Sequence, residues 1–234
     1  MSLKVLGISG SPIKNSNTDK LVKTVLDATG VDSEFVKLSE ISVGPCTACR
    51  KCAYTNICVL NDDFKWLSGK VLEAKALVIG SPIMYAAPSA FTKCFIERLY
   101  SLRHVKLLTQ GKLGVSLAVG EANPEGVTQY LSQVMMMSGM EVAGSMTAFG
   151  DPGCFSCGPG ETCLYSIWNG IAKRSGSIDN FYMKAYEGYL EANPDNDPFK
   201  HPSYHIIKHR SVSDEPKVMA QAEALGKELG KRLS

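Results

Sequence analysis

A chain of 234 residues, 44% hydrophobic and 21% charged, can bury one sizeable core and is neither disordered nor fibrous. Its formal charge of +2 comes from Lys and Arg scattered without a basic run, which argues against nucleic acid and anionic membranes as partners. No apolar run reaches the roughly 18 residues that span a bilayer, and MSLKVLGISG is too short and strand-like for a signal peptide, so a cytoplasmic protein is expected.

In chain order, LKVLGIS (3–9) is an apolar run ended by Gly10-Ser11-Pro12, as suits a strand buried on both faces. Asn17-Thr18-Asp19 then start a helix that carries Leu21, Val22, Val25 and Leu26 on one side. SEFVKL (33–38) predicts a second strand with a cysteine-rich stretch behind it, and a helix over 62–74 leads to a third strand, ALVIG (76–80). The segment 88–102 has a helical period with Pro88 in its first turn. LGVSLAVG (113–120) is the fourth strand, 125–137 a helix, and 141–150 the fifth strand. A long irregular region follows, and 217–233 is a Lys/Glu-rich amphipathic helix. Strands alternating with helices predict an α/β fold built on a doubly wound parallel sheet.

In such sheets ligands sit beyond the carboxyl ends of the strands, where strand order reverses. The loop after the first strand, SGSPIKNSNT (9–18), combines small residues, hydroxyls and a helix start, so its amides and the helix dipole form an anion cradle. It matches neither GxxxxGK[ST] nor GxGxxG, which disfavours a nucleoside triphosphate or a dinucleotide held in those ways. The loop after the third strand, GSPIMYAAPSA (80–90), is stiffened by two prolines and offers Met84 and Tyr85 as flat or polarisable surface.

GSPIKNSNT and SPIMYAAPS, with PCTACRKCAYTNIC (45–58) between them, resemble the iron-sulfur flavoprotein family of the NADPH-dependent FMN reductase branch. The resemblance covers about residues 3–150. It implies a flavodoxin-like fold of strand order 2-1-3-4-5, FMN held noncovalently, a 4Fe-4S cluster and a role in electron transfer. Carried over by position, Ser9, Ser11, Ser16, Asn17 and Thr18 would bind the FMN phosphate, while Pro82, Ile83, Met84 and Tyr85 would line the isoalloxazine. Gly120 and Glu121 of VGEANPEGV (119–127) would approach the pyrimidine edge, although the loop lacks the family's glycine-rich form. Ile13 stands where relatives often carry Arg, which shifts more of the phosphate's charge onto hydroxyls, amides and Lys14.

Cys46, Cys49, Cys52 and Cys58 are spaced C-x2-C-x2-C-x5-C. Zinc also accepts four thiolates, but its sites usually pair two C-x2-C knuckles across a longer spacer. Three cysteines within seven residues suit a cubane, with Cys58 as the fourth corner and Arg50 and Lys51 offsetting its charge. A second group, Cys154, Cys157 and Cys163, lies in a Gly/Pro loop; three thiolates there suit a second cluster, a zinc with an outside ligand, or a redox dithiol. Cys94 reads as a small core residue.

The expected organisation is a core over 1–150 that includes the cysteine loop 45–58, an aromatic-rich insertion over 151–214 serving as lid or subunit contact, and a closing helix over 215–234. His201, His205 and His209 recur every fourth residue and read as a solvated or interface stripe. The function expected is a flavin-dependent oxidoreductase that passes electrons from ferredoxin or NAD(P)H to a small-molecule acceptor, with no side chain needed as nucleophile. In the resembling family, association brings one subunit's cluster toward another's FMN, so a homo-oligomer, dimer or tetramer, is expected. The alternatives are a zinc-stabilised flavin-binding or regulatory protein, and a plain NADPH:FMN reductase.

Overall fold

The computed structural model describes residues 3–120, 123–150 and 211–234. The chain divides into two compact units, residues 1–149 with 212–234 and residues 150–211. Cys154, Cys157, Cys163, the histidine stripe, Glu121 and nearly all of the insertion lie outside the described residues.

The strands are β1 (Val5–Ser9), β2 (Ser33–Lys37), β3 (Ala76–Met84), β4 (Ala87–Pro88), β5 (Leu113–Val119) and β6 (Glu141–Ala148). The helices are α1 (Asn17–Thr29), α2 (Phe64–Glu73), α3 (Ala90–Leu99), α4 (Pro124–Met137) and α5 (Pro216–Leu233). The sheet runs β2-β1-β3-β5-β6, all parallel, with β4 attached antiparallel to β3. Leaving aside β4, this is the expected 2-1-3-4-5 order.

Alternation along the strands divides the core. Leu6, Ile8, Leu77 and Ile79 pack with Leu67, Val71, Phe95, Leu99 and Leu131 of α2, α3 and α4. Val5, Ala76, Val78 and Val115 pack on the other face with Leu21, Val22, Val25 of α1 and Ala222, Leu229 of α5. Because both faces are covered, the strands read as continuous apolar runs.

Most boundaries fall within two residues of the sequence expectation, and two differences reshape the site. The third strand continues past Gly80 to Met84 and folds back as β4, a hairpin in place of an open loop. The helix expected from Pro88 begins at Ala90 instead, since Pro88 faces Ile83 across the hairpin and Ser89 caps the helix by accepting from the Thr92 amide at 3.2 Å.

Candidate active site

The first loop is organised around Asp19, which the sequence places at the helix start but not at the centre of the loop. Ser16 caps α1 through a reciprocal box, its Oγ accepting from the Asp19 amide and its own amide donating to Asp19 Oδ2, both at 3.1 Å. Asp19 Oδ1 accepts from Ser9 Oγ at 2.5 Å. Lys37, the last residue of β2, reaches under the loop and donates to both Asp19 oxygens and, at 2.8 Å, to the Ile13 carbonyl. Ser11 Oγ accepts from the Ile13 amide at 3.2 Å, and its carbonyl accepts from Ser39 Oγ at 3.1 Å. Asn17 Oδ1 accepts from the Val212 amide at 3.0 Å, tying the loop to the segment before α5. The outer rim, Pro12 to Asn15, is exposed.

The second loop is a two-residue hairpin tip, Tyr85-Ala86, with φ of 49° and 57°. Such turns favour Asn or Gly, because a Cβ is strained in the left-handed region. Tyr85 is fully exposed at the tip, while Pro82, Ile83 and Met84 are half-buried. Asn123 Nδ2 donates to the Ala86 carbonyl at 3.2 Å. Gly120, at φ 153°, lies so close to Ile83 that an added Cβ would fall 2.9 Å from the Ile83 Cβ. The loops after β3 and β5 therefore touch.

A hydroxyl network joins the first loop to the second. Ser89 Oγ donates to the Gly10 carbonyl at 2.6 Å, Thr92 Oγ1 donates to Ser81 Oγ at 3.0 Å, and the Ser89 amide donates to Ser81 Oγ at 3.0 Å. Ser9, Ser11, Ser16, Asn17, Thr18, Pro82, Ile83, Met84, Tyr85 and Gly120 thus stand at or just beyond the carboxyl ends of three adjacent strands, β1, β3 and β5, Asn17 and Thr18 in the first turn of α1.

Cys46, Cys49, Cys52 and Cys58 all line one concavity, closed from beneath by Glu97 and Arg98 of α3. The Cys46 amide donates to Glu97 Oε2 at 3.2 Å. Buried Asn56 ties the far end of the loop down, its Nδ2 donating to the Ser101 carbonyl and its Oδ1 accepting from the Val105 and Lys106 amides. The Lys51 amide holds the Cys49 thiol below its ordinary pKa, whereas burial pushes Cys52 up, reinforced by the other three cysteines. Cys94 is half-buried, its thiol also pushed up by burial.

Arg98, another residue the sequence did not single out, is among the largest fully buried side chains. It grips Asp62 in a fork, Nη1 to Oδ2 at 2.5 Å and Nη2 to Oδ1 at 2.8 Å, and Nη1 also donates to the Gly44 carbonyl at 3.1 Å. Burial opposes its charge, but hydrogen bonding to Asp62 and the nearby Cys58 sulfur raise its pKa above the ordinary value.

A model of the NADPH-dependent FMN reductase family matches residues 3–151. The chain is 33% identical over 135 residues to an iron-sulfur flavoprotein of Methanocaldococcus jannaschii, covering 56% of this chain and 69% of that one. It is 33% identical over 153 residues to an iron-sulfur flavoprotein of Archaeoglobus fulgidus, covering 63% and 69%, and 29% identical over 154 residues to one of Methanosarcina thermophila, covering 63% and 81%. Among solved structures, a flavone reductase superposes with a TM-score of 0.58 at 14% identity, over 99% of this chain and 63% of that one. RosB does so with 0.53 at 16%, over 84% and 83%; at such identities these two attest the fold alone. Taken with its loop geometry, these matches place the chain in the NADPH-dependent FMN reductase family, as a flavin-dependent oxidoreductase of the iron-sulfur flavoprotein group.

Proposed function

We propose that the chain is an electron-transfer oxidoreductase that holds FMN across the loops of β1, β3 and β5, and a 4Fe-4S cluster on Cys46, Cys49, Cys52 and Cys58. Ferredoxin or NAD(P)H would supply the electrons and a small-molecule acceptor would receive them. The supporting observation is that one concavity collects all four cysteines. Four thiolates on one zinc ion close to about 3.8 Å of each other, given a Zn–S bond of about 2.3 Å. In a cubane each thiolate binds its own iron, so the sulfurs stand farther apart. The C-x2-C-x2-C-x5-C spacing of the four cysteines suits the wider set.

For the phosphate, Ser11, Ser16 and Thr18 would join the amides at the start of α1, where the dipole favours an anion. Ser9 and Asn17 support that loop from within, through Asp19 and Val212. Pro82, Ile83, Met84, Tyr85 and Gly120 would flank the ring, with Glu121 following in the chain. FMN, when bound, accepts electrons in pairs or passes them singly, which joins one-electron to two-electron partners.

The placement of α3 bears on assembly. Its first turn carries Thr92 in the flavin-side network, and its last turn carries Glu97 and Arg98 in the cysteine concavity. Five to six residues at about 1.5 Å each set Thr92 about 8–9 Å from Glu97 and Arg98 along the helix axis. That distance leaves a path within one subunit open, and we propose a homo-oligomer, in which one subunit's cluster serves another's FMN, on the family resemblance alone.

Iron, acid-labile sulfide and flavin analysis of anaerobically purified protein tests the proposal. The expected result is FMN with about four irons per subunit. About eight irons would assign a second cluster to Cys154, Cys157 and Cys163. Zinc without sulfide would sink the cluster reading.

A further inference from the structure

Arg98 presents an anomaly. Its two terminal nitrogens are bound to Asp62 and Gly44, and its guanidinium carbon lies 4.7 Å above the centre of the Phe64 ring, so the side chain is fixed on three sides. Its Nε is nevertheless buried with no hydrogen-bond partner among the described residues. An unmet buried donor costs its full desolvation, and native structures rarely keep one without a use. The same side chain lines the cysteine concavity together with Cys58, which is half-buried and packs against the core.

We propose that Arg98 is a positioning residue of the cysteine centre, its Nε–H donating to the Cys58 sulfur while Asp62 locks the guanidinium plane. This rests on the cluster reading above. The consequence is electrostatic. A donor and a fixed positive charge aimed at a ligand sulfur stabilise the more negative, reduced state, so the centre is reduced at a higher potential than its other three thiolates alone would set. It also distinguishes the four cysteines, for Cys46 and Cys49 are exposed whereas Cys58 faces this buried cation. Arg50 and Lys51, exposed on the loop itself, are screened by solvent and contribute less.

The test compares wild type with Arg98→Lys, which keeps a positive charge beside Asp62 but loses the Nε–H donor. In the loaded full-length protein, the reduced-to-oxidised ratio of the cluster at fixed potential, read by electron paramagnetic resonance, is expected to fall about tenfold, equal to about 59 mV for a one-electron couple. An unchanged ratio with unchanged iron content overturns the tuning role. Arg98→Lys can also fail to fold, so a second measurement leaves Arg98 intact. In the reduced, metal-free full chain labelled with 15N-arginine, the Arg98 Nε–H resonance is expected to move in Cys58→Ser and to stay in Cys46→Ser. No movement in Cys58→Ser, or equal movement in both, overturns the contact. Wild-type protein that takes up zinc but neither iron nor sulfide overturns the cluster reading and the tuning role together, while the resonance still decides whether Arg98 positions Cys58.

Discussion

Lys37 Nζ lies 2.8 Å and 2.6 Å from the two carboxylate oxygens of Asp19, and both side chains are almost wholly buried beneath the first loop. The pair joins the end of β2 to the first turn of α1, and through Ser9, Ser16 and the Ile13 carbonyl it fixes the loop that would face the phosphate. A buried pair contributes little over an apolar one, but breaking it strands a charge. Lys37→Met is expected to lower stability by about 3–5 kcal/mol, and adding Asp19→Asn to recover most of that loss. Urea unfolding of wild type and the two variants measures it. A single variant within about 0.5 kcal/mol of wild type would show that solvent reaches Asp19.

This pair also marks where sequence reading stopped. Apolar runs bounded by Gly and Pro suffice for the parallel sheet, its strand order needs the family resemblance, and the cysteine spacing points to the residues that share the concavity. Lys37 closes a strand in which it looks like an ordinary surface residue, and Arg98 sits in a helix whose period predicts only its apolar neighbours. Their roles depend on partners 18 and 36 positions away, Asp19 and Asp62, which no local pattern exposes. Ser16-x-x-Asp19 was the one available signal, since that spacing suits a capping box. The hairpin after β3 was hidden because Tyr85-Ala86 breaks the Asn-Gly rule for such turns.

Gly10 ties the first loop to α3. A Cβ there would fall 1.8 Å from Thr92 Oγ1 and 2.9 Å from Ser89 Oγ, both committed to the network that joins the two loops. Gly10→Ala is expected to cost about 1–3 kcal/mol as an overpacking change and to weaken FMN retention. Thr92→Ala in the same chain removes the nearest atom and should restore part of both losses. Melting curves and flavin fluorescence on dilution measure them, and additive losses in the double variant would contradict the packing argument.

The Tyr85-Ala86 tip holds two side chains in the left-handed region, at an expected strain of about 1–3 kcal/mol each. Ala86→Gly should therefore stabilise the protein, by about 1 kcal/mol. If the strain serves to present Tyr85 to the flavin, the same variant should bind FMN more weakly. Tyr85→Ala, at a fully exposed position, should leave stability within about 0.5 kcal/mol of wild type while altering the flavin absorption band. Equal FMN affinity in all three proteins would detach the hairpin from the flavin.

Asp62 gives the cysteine loop an acid limit. Burial alone would raise its pKa, but the Arg98 fork and the Gly44 amide overcome this and hold it below the ordinary carboxylate value. A group whose folded pKa is depressed stabilises fully above its unfolded value of about 3.9, and that stability disappears as pH falls through the folded pKa. Asp62→Asn should be clearly less stable than wild type near pH 6, with the gap narrowing once the pH drops below about 4. Urea midpoints of the two metal-free proteins across that range decide the matter. A gap that stays constant with pH would mean that the Asp62 carboxyl titrates alike in the folded and unfolded chain, and that the fork is not what anchors Gly44 and the start of the cysteine loop.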